Sequence, residues 1–286
     1  MGPPSSGRVT VAQILGLLEG FDLAAIGPTS TGWRLFTEAA KLAYADRNLY
    51  IADPDFAVVP TQGLLDPAYL AHRTAAIDPD GTTVQAVAGR PPQEESTSRA
   101  PQSQEENAGT SHFVIADRYG DMTSMTTTIE APFGSRVMTN GFLLNNQLTD
   151  FSFAPERDGA KVTNRVEGGK RPRSSMAPTI VLKDGEPILL ISSPGGSRII
   201  NDVAGALIAI LDWGMTPQQA LDMGHVVNQN GVTELEEGTE AVALTGTLGH
   251  RTTIRPLESG LHAILIEDGA LRGVANRRRD GVVLGE

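Results

Sequence analysis

Apolar residues recur with a helical period near the start of the chain. Val11, Ile14, Leu15 and Leu18 fall at i, i+3, i+4 and i+7, and Leu35, Ala39, Leu42 and Ala43 repeat the spacing, so each segment predicts a helix with one buried stripe. A third short helix is expected over 67–76. From 78 to 109 the pattern stops, and Pro, Gly, Gln, Glu and Ser dominate with few large apolar residues, the composition of a flexible linker. Beyond it the period becomes that of strands. Short apolar or β-branched runs cover 112–116, 121–128, 179–182 and 188–192, and Asp117-Arg118-Tyr119-Gly120-Asp121 and Lys183-Asp184-Gly185-Glu186 read as hairpin turns. Helical spacing returns over 198–213 through Ile199, Val203, Ala206, Leu207 and Ile210, with Gly214 as the stop. Thr216-Pro217 then offers an N-cap and a first-turn proline for one more helix. Strands after a linker, with helices to cover them, predict a layered α+β fold.

Composition narrows the partners. A chain of 286 residues that is 40% hydrophobic can bury the core of one or two domains. Its net charge of -11 argues against a nucleic-acid partner, because phosphate binding needs clustered positive charge. The densest basic run, Arg277-Arg278-Arg279, reads as a solvated surface turn. The absence of cysteine removes disulfides, a thiolate nucleophile and cysteine-ligated metals. Neither a signal-peptide pattern nor an apolar run of about 20 residues is found, so the expectation is a soluble chain with no membrane partner, cytoplasmic by default.

Candidate chemistry centres on Gly109-Thr110-Ser111-His112-Phe113. A threonine behind a glycine, at the junction of linker and strand, suits a residue that becomes a new N-terminus. After cleavage of the Gly109–Thr110 bond, Thr110 would carry both a nucleophilic hydroxyl and a free α-amine to act as its base. A model α-amine has a pKa of roughly 7.7 to 8, so much of it is neutral near physiological pH. An isolated Gly-Thr pair is also an ordinary entry into a strand. His112 lies two residues on and faces the same side of a regular strand as Thr110, which makes it a second candidate base. His225, His250 and His262 lack the spacing of metal ligands, and neither a metal nor a cofactor is expected.

Three further segments follow Thr110 in order: Thr126-Thr127-Thr128-Ile129-Glu130-Ala131-Pro132-Phe133-Gly134-Ser135, then Leu143-Leu144-Asn145-Asn146-Gln147-Leu148-Thr149-Asp150-Phe151, then Lys170-Arg171-Pro172-Arg173-Ser174-Ser175-Met176-Ala177-Pro178-Thr179. Ser193-Pro194-Gly195-Gly196-Ser197-Arg198 completes the set. Together with Thr110 they closely resemble the small subunit of the γ-glutamyltranspeptidase family, which belongs to the N-terminal nucleophile hydrolases. Upstream, Pro3-Pro4-Ser5-Ser6-Gly7 and Ala45-Asp46-Arg47-Asn48 resemble the end of that family's large subunit. The resemblance implies an αββα four-layer sandwich, incomplete at its N-terminus. Residues 1–109 would be the C-terminal part of the large subunit, ending in the linker, and 110–286 the small subunit, the two remaining partners after cleavage.

It also implies roles. Thr110 would cut its own chain after Gly109 and then attack a γ-glutamyl amide, with its α-amine as base, passing the acyl group to water or to an amine acceptor. Glycine at 109 would help by tolerating backbone conformations closed to other residues. Thr128 would hydrogen-bond near the nucleophile, and Gly195 and Gly196 would supply oxyanion donors. Ser174 and Ser175 would hold the glutamyl α-carboxylate, and Gln147 and Asp150 its ammonium group. Glu130 stands where many transpeptidases carry asparagine, which places the chain nearest the cephalosporin acylase and poly-γ-glutamate-processing branch. The stretch between Phe151 and Lys170 is short and has no tyrosine to act as a lid, which favours hydrolysis over transfer. Two other readings stand beside this one: a cephalosporin (glutaryl-type) acylase, and a truncated, catalytically silent fragment or partner subunit. The latter follows because family members extend upstream, where an arginine helps bind the substrate carboxylate; a missing upstream segment would leave the apolar faces of 11–18 and 35–43 exposed and prone to association.

Overall fold

The computed structural model describes residues 1–94, 98–102 and 109–285. Five main helices form: α1 (Gly7–Leu18), α2 (Ser30–Tyr50), α3 (Pro67–Thr74), α4 (Ile199–Leu211) and α5 (Pro217–Asp222). Their starts follow local chemistry. Thr29 accepts a hydrogen bond from Gly32 N at the head of α2, Asp66 accepts one from Tyr69 N at α3, and Thr216 with Gln219 closes a capping box at α5. The helix expected over 67–76 stops at Thr74.

The apolar stripes of α1 and α2 are not left open. Ile14 and Leu17 pack with Leu35, Ala39 and Ala43, and α4 closes the layer with Val203 and Leu207, all in one buried core. The expected exposed faces at 11–18 and 35–43 are therefore corrected: α4 supplies within this chain the cover that periodicity alone could not identify.

Beneath these helices lies a four-stranded antiparallel sheet. Its strands β3 (Thr179–Lys183), β4 (Glu186–Ser192), β5 (His262–Glu267) and β6 (Ala270–Ala275) stand in the order β6-β5-β4-β3. The Asp184-Gly185 and Asp268-Gly269 turns both have positive φ at each residue, the twist a two-residue hairpin needs. Leu189 and Ile191 of β4 join the helical core, while Leu190 between them is buried on the opposite face. That face is covered by a two-stranded hairpin, the Thr110 hairpin, with β-strands Thr110–Ala116 and Met122–Thr128. Helices, sheet and hairpin thus give three layers of the α+β sandwich. On the hairpin's outer side Phe113, Ile115 and Met125 are 38%, 52% and 46% exposed, and no second helical layer covers them among the described residues.

Two expectations change in detail. The segment read as a flexible linker is laid against the body over much of its described length: Gly89 N donates to Asp46, Tyr50 OH to Gly89 O, Lys41 Nζ to Thr83 O, and Ala86 exchanges two hydrogen bonds with Asn230. A polar segment can be ordered by backbone bonding to distant side chains without any apolar pattern of its own. Residues 95–97 and 103–108 of that stretch lie outside the described residues. Arg277-Arg278-Arg279 is not a solvated turn throughout. Arg278 makes a two-pronged pair with Glu236 at 2.5 and 2.7 Å, and Arg279 reaches within 3.5 Å of Thr110 O. Among the described residues no helix is long and apolar enough to cross a membrane.

Candidate active site

The hairpin register pairs Thr110 directly with Thr128, and His112 with Thr126. Thr110 Oγ1 donates to Thr128 Oγ1 at 3.0 Å, Thr128 Oγ1 lies 3.4 Å from Gly109 O, and Glu130 N donates back to Thr128 Oγ1 at 2.8 Å. The two hydroxyls and the Gly109 carbonyl are therefore one hydrogen-bonded group. Glycine at 109 also has a steric cause: a Cβ there would collide with the carbonyl oxygen of Glu130. Glu130 itself is held at φ +77, a costly conformation for this residue type, with Oε2 accepting from Asn146 Nδ2.

Thr110, Thr128, Glu130, Asp150, Ser174, Ser175 and Gly196 line one cleft. Gly195 and Gln147 are not among its lining residues. Gly195, at φ +143, shapes the turn that presents Gly196, and the Gln147 amide donates to Thr128 O at 3.3 Å. The turn is braced on several sides. Tyr44 OH donates to Ser197 O at 2.5 Å, Gln229 Nε2 to Ser197 Oγ at 2.8 Å, and Gly260 N to Ser193 Oγ at 3.2 Å. Gly196, Ser197 and Ile199 line the cleft, so the turn leading into α4 forms part of its wall, with Arg198 N and Ile199 N bonded inside the turn to Gly195 O and Gly196 O.

The opposite wall hangs on the N-terminal segment. Ser6 N and Oγ both donate to Ser174 O, Ser5 Oγ donates to Met176 O, and Gly7 leaves no room for a side chain against Met176 O. Arg47 bridges the two, with Nε donating to Ser6 Oγ at 2.9 Å and Nη2 to Ser175 Oγ at 2.7 Å. Ser175 thus accepts from Arg47 and keeps its own hydrogen for the cleft, and Ser174 Oγ, which accepts from Met176 N, is in the same position.

The cleft carries charges of both signs: Glu130, Asp150, Arg47 and Arg173 all line it. Burial, and then the nearby Glu130 carboxylate, push the Asp150 carboxyl up to about 6, with Arg47 and Arg173 opposing. His112 is not part of this constellation. Its Nδ1 is 3.0 Å from Thr126 Oγ1, it does not line the cleft, and burial lowers its pKa to about 4.

Arg47, Gln102, Asn164 and Arg173 were not singled out from the sequence as site residues. Asn164 ties the others together, donating to Gln102 Oε1 and Asp150 O and accepting from Arg173 N. The available signal was placement: Arg47 and Arg173 lie inside or beside motifs that already carried the resemblance.

The sequence model for gamma-glutamyltranspeptidase matches residues 1–286. The glutathione hydrolase proenzyme of Bacillus subtilis (strain 168) is 37% identical over 99% of this chain and 50% of its own length. The acylase ACY 1 proenzyme of Pseudomonas sp. (strain V22) is 36% identical over 98% of this chain and 48% of its own. Among solved structures, a cephalosporin acylase from Bacillus halodurans superposes with TM-score 0.82 at 24% identity, over 99% of this chain and 50% of that one, a likeness of fold. The γ-glutamyltranspeptidase T380A mutant of Helicobacter pylori matches at 32% identity with TM-score 0.53, over 59% of this chain and 99% of that one. The chain spans about half the length of the curated relatives it matches. With the family pattern running through every residue and its motifs gathered around one cleft, the chain belongs to the γ-glutamyltranspeptidase family.

Proposed function

We propose that the chain is an autoprocessing threonine amidohydrolase that cleaves γ-glutamyl amide bonds, as in glutathione-like substrates, and passes the acyl group chiefly to water. The observation that carries this reading is the Thr110–Thr128–Gly109 hydrogen-bonded group, whose two threonines line a cleft that also holds acidic and basic side chains. In the first reaction Thr110 Oγ1 attacks the Gly109 carbonyl carbon, its proton leaving through Thr128. The C–N bond breaks to give an ester and a free amine, and water then releases the Gly109 carboxylate.

In the second reaction the α-amine of Thr110 takes the hydroxyl proton as Oγ1 attacks the substrate amide. The tetrahedral oxyanion meets N–H groups of the Gly195-Gly196 turn, a contribution of roughly 10² to 10³ in rate per donor. The departing amine takes the proton back, and water, deprotonated by the same α-amine, cleaves the ester to release glutamate. Asp150 and Glu130 hold the substrate ammonium; Ser174 and Ser175 hold its carboxylate. Residues 1–109 and 110–286 stay together after the cut, supported by the α1–α2–α4 core and the Ser6–Ser174 bonding.

Intact-mass measurement and a γ-glutamyl anilide assay test this. Conversion to fragments ending at Gly109 and beginning at Thr110, with anilide release that is lost in Thr110→Ala, is the expected result; a folded chain that stays whole and inert after long incubation refutes it.

A further inference from the structure

Arg173 is a buried cation that no carboxylate touches among the described residues. It is 4% exposed and lines the cleft, yet its guanidinium donates only to neutral oxygens, Arg47 O at 3.0 Å and Asn48 Oδ1 at 3.4 Å. No carboxylate lies within ion-pair distance of it among the described residues. Other buried cations of this chain are paired: Lys41 with Glu38 and Lys170 with Glu167. Keeping a guanidinium out of water with no carboxylate in contact is costly; a nearby second guanidinium, Arg47, raises that cost, and the more distant charge of Asp150 offsets only part of it. Beside it sit the Ser174 and Ser175 hydroxyls, each with a hydrogen not spent within the protein.

We propose that Arg173 is a specificity-determining residue that selects acyl groups bearing a carboxylate at the end remote from the scissile amide, receiving that carboxylate together with the Ser174 and Ser175 hydroxyls. The proposal rests on the amidase reading above and adds to it the group that chooses the acyl chain. Serine hydroxyls alone would accept a neutral carboxamide or hydroxyl nearly as well as a carboxylate. A desolvated guanidinium does not, because only an anion relieves its own burial.

The test compares residues 1–286 with their Arg173→Met and Arg173→Lys variants, each checked for folding by thermal melting. Substrates are the γ-glutamyl anilide and the 4-aminobutyryl anilide, which lacks the carboxylate. Hydrogen bonds to a charged group are worth about 1.5–3 kcal/mol, so the ratio of kcat/KM between the two substrates should fall roughly 10- to 100-fold in Arg173→Met. Arg173→Lys should recover part of it, since the charge returns without the planar fork. An unchanged ratio in folded Arg173→Met overturns the proposal. If the wild type cleaves neither anilide, it is the amidase reading that fails, and calorimetric titration with glutarate then decides Arg173 by itself. Glutarate binding that is lost in Arg173→Met sustains the proposal; equal binding, or none to the wild type, overturns it.

Discussion

Thr110 and Thr128 face each other across the Thr110 hairpin as a directly opposed pair, their hydroxyls 3.0 Å apart, with Thr128 also 3.4 Å from the carbonyl of Gly109. One hydroxyl can therefore take the nucleophile's proton and polarise the bond to be cut. Thr128→Val keeps the β-branched shape and removes both functions. It should slow self-cleavage about 10- to 100-fold, the worth of one or two hydrogen bonds at a reacting group. The time course of fragment appearance by mass spectrometry measures it, and cleavage at the wild-type rate would show that Thr128 is only structural.

Gly109→Ala should leave the chain whole or nearly so. The added methyl meets the Glu130 carbonyl, and Glu130 is already held at positive φ, so relief would have to come from moving the Gly109 carbonyl away from Thr110. Electrophoresis of the purified variant reads the outcome. Cleavage as complete as in the wild type would mean that the contact yields without displacing the scissile carbonyl.

Asp150 gives the site a pH dependence with a definite sign. Its carboxyl titrates at about 6, so below that pH the cleft loses a negative charge and KM for a γ-glutamyl anilide should rise, with kcat affected less. A glutaryl anilide, which has no ammonium group, should show no such limb. Because the folded pKa lies above the unfolded value of roughly 3.9, the stability this proton brings is complete below about pH 4 and lost as pH rises through about 6. Melting curves of wild type and Asp150→Asn across that range should diverge toward higher pH, in favour of the asparagine variant.

Free glutamate should exceed transfer product even with a dipeptide acceptor present. The acidic Glu130 lines the cleft and disfavours acidic acceptors. Chromatography of the products at moderate acceptor concentration decides the matter, and a dominant transfer product would remove Glu130 as the mark of a hydrolase.

The hairpin and the first two helices were legible because their order is local. The run from His112 to Ala116, the Asp117–Asp121 turn and the stripe of Val11, Ile14 and Leu18 each follow from neighbours in the chain. What covers a stripe is a tertiary matter, and nothing at Leu35 or Ala39 announces that α4 lies over it. Arg173 was obscured for a related reason: nothing in Lys170-Arg171-Pro172-Arg173 tells one cation from another, and only the fold places Arg47 O and Asn48 beside the last of the four residues while leaving Arg171 at the surface with Asp53 and Asp55. The role implied for Gln147 met a closer competitor, since its amide is already engaged by Thr128 O.

Phe113→Thr combined with Ile115→Thr should reduce self-association without loss of the hairpin. Threonine retains β propensity, and both positions face outward. Light scattering at increasing protein concentration reads the effect; no change would show that association, if present, uses another surface.

The Ser6–Arg47–Ser175 connection has a thermodynamic corollary. Ser6 and Arg47 lie before the proposed cleavage point and Ser175 after it, so a cut there would turn this hydrogen-bonded chain into a junction between two separate polypeptides. The fragments' affinity for each other and the pocket's affinity for an anion then become linked quantities. A ligand at 100 times its Kd would hold the pair together by about 2.7 kcal/mol more than in its absence. Occupancy of the cleft would accordingly be measurable as a slower exchange of one fragment for a labelled copy, and dilution alone would suffice to empty it.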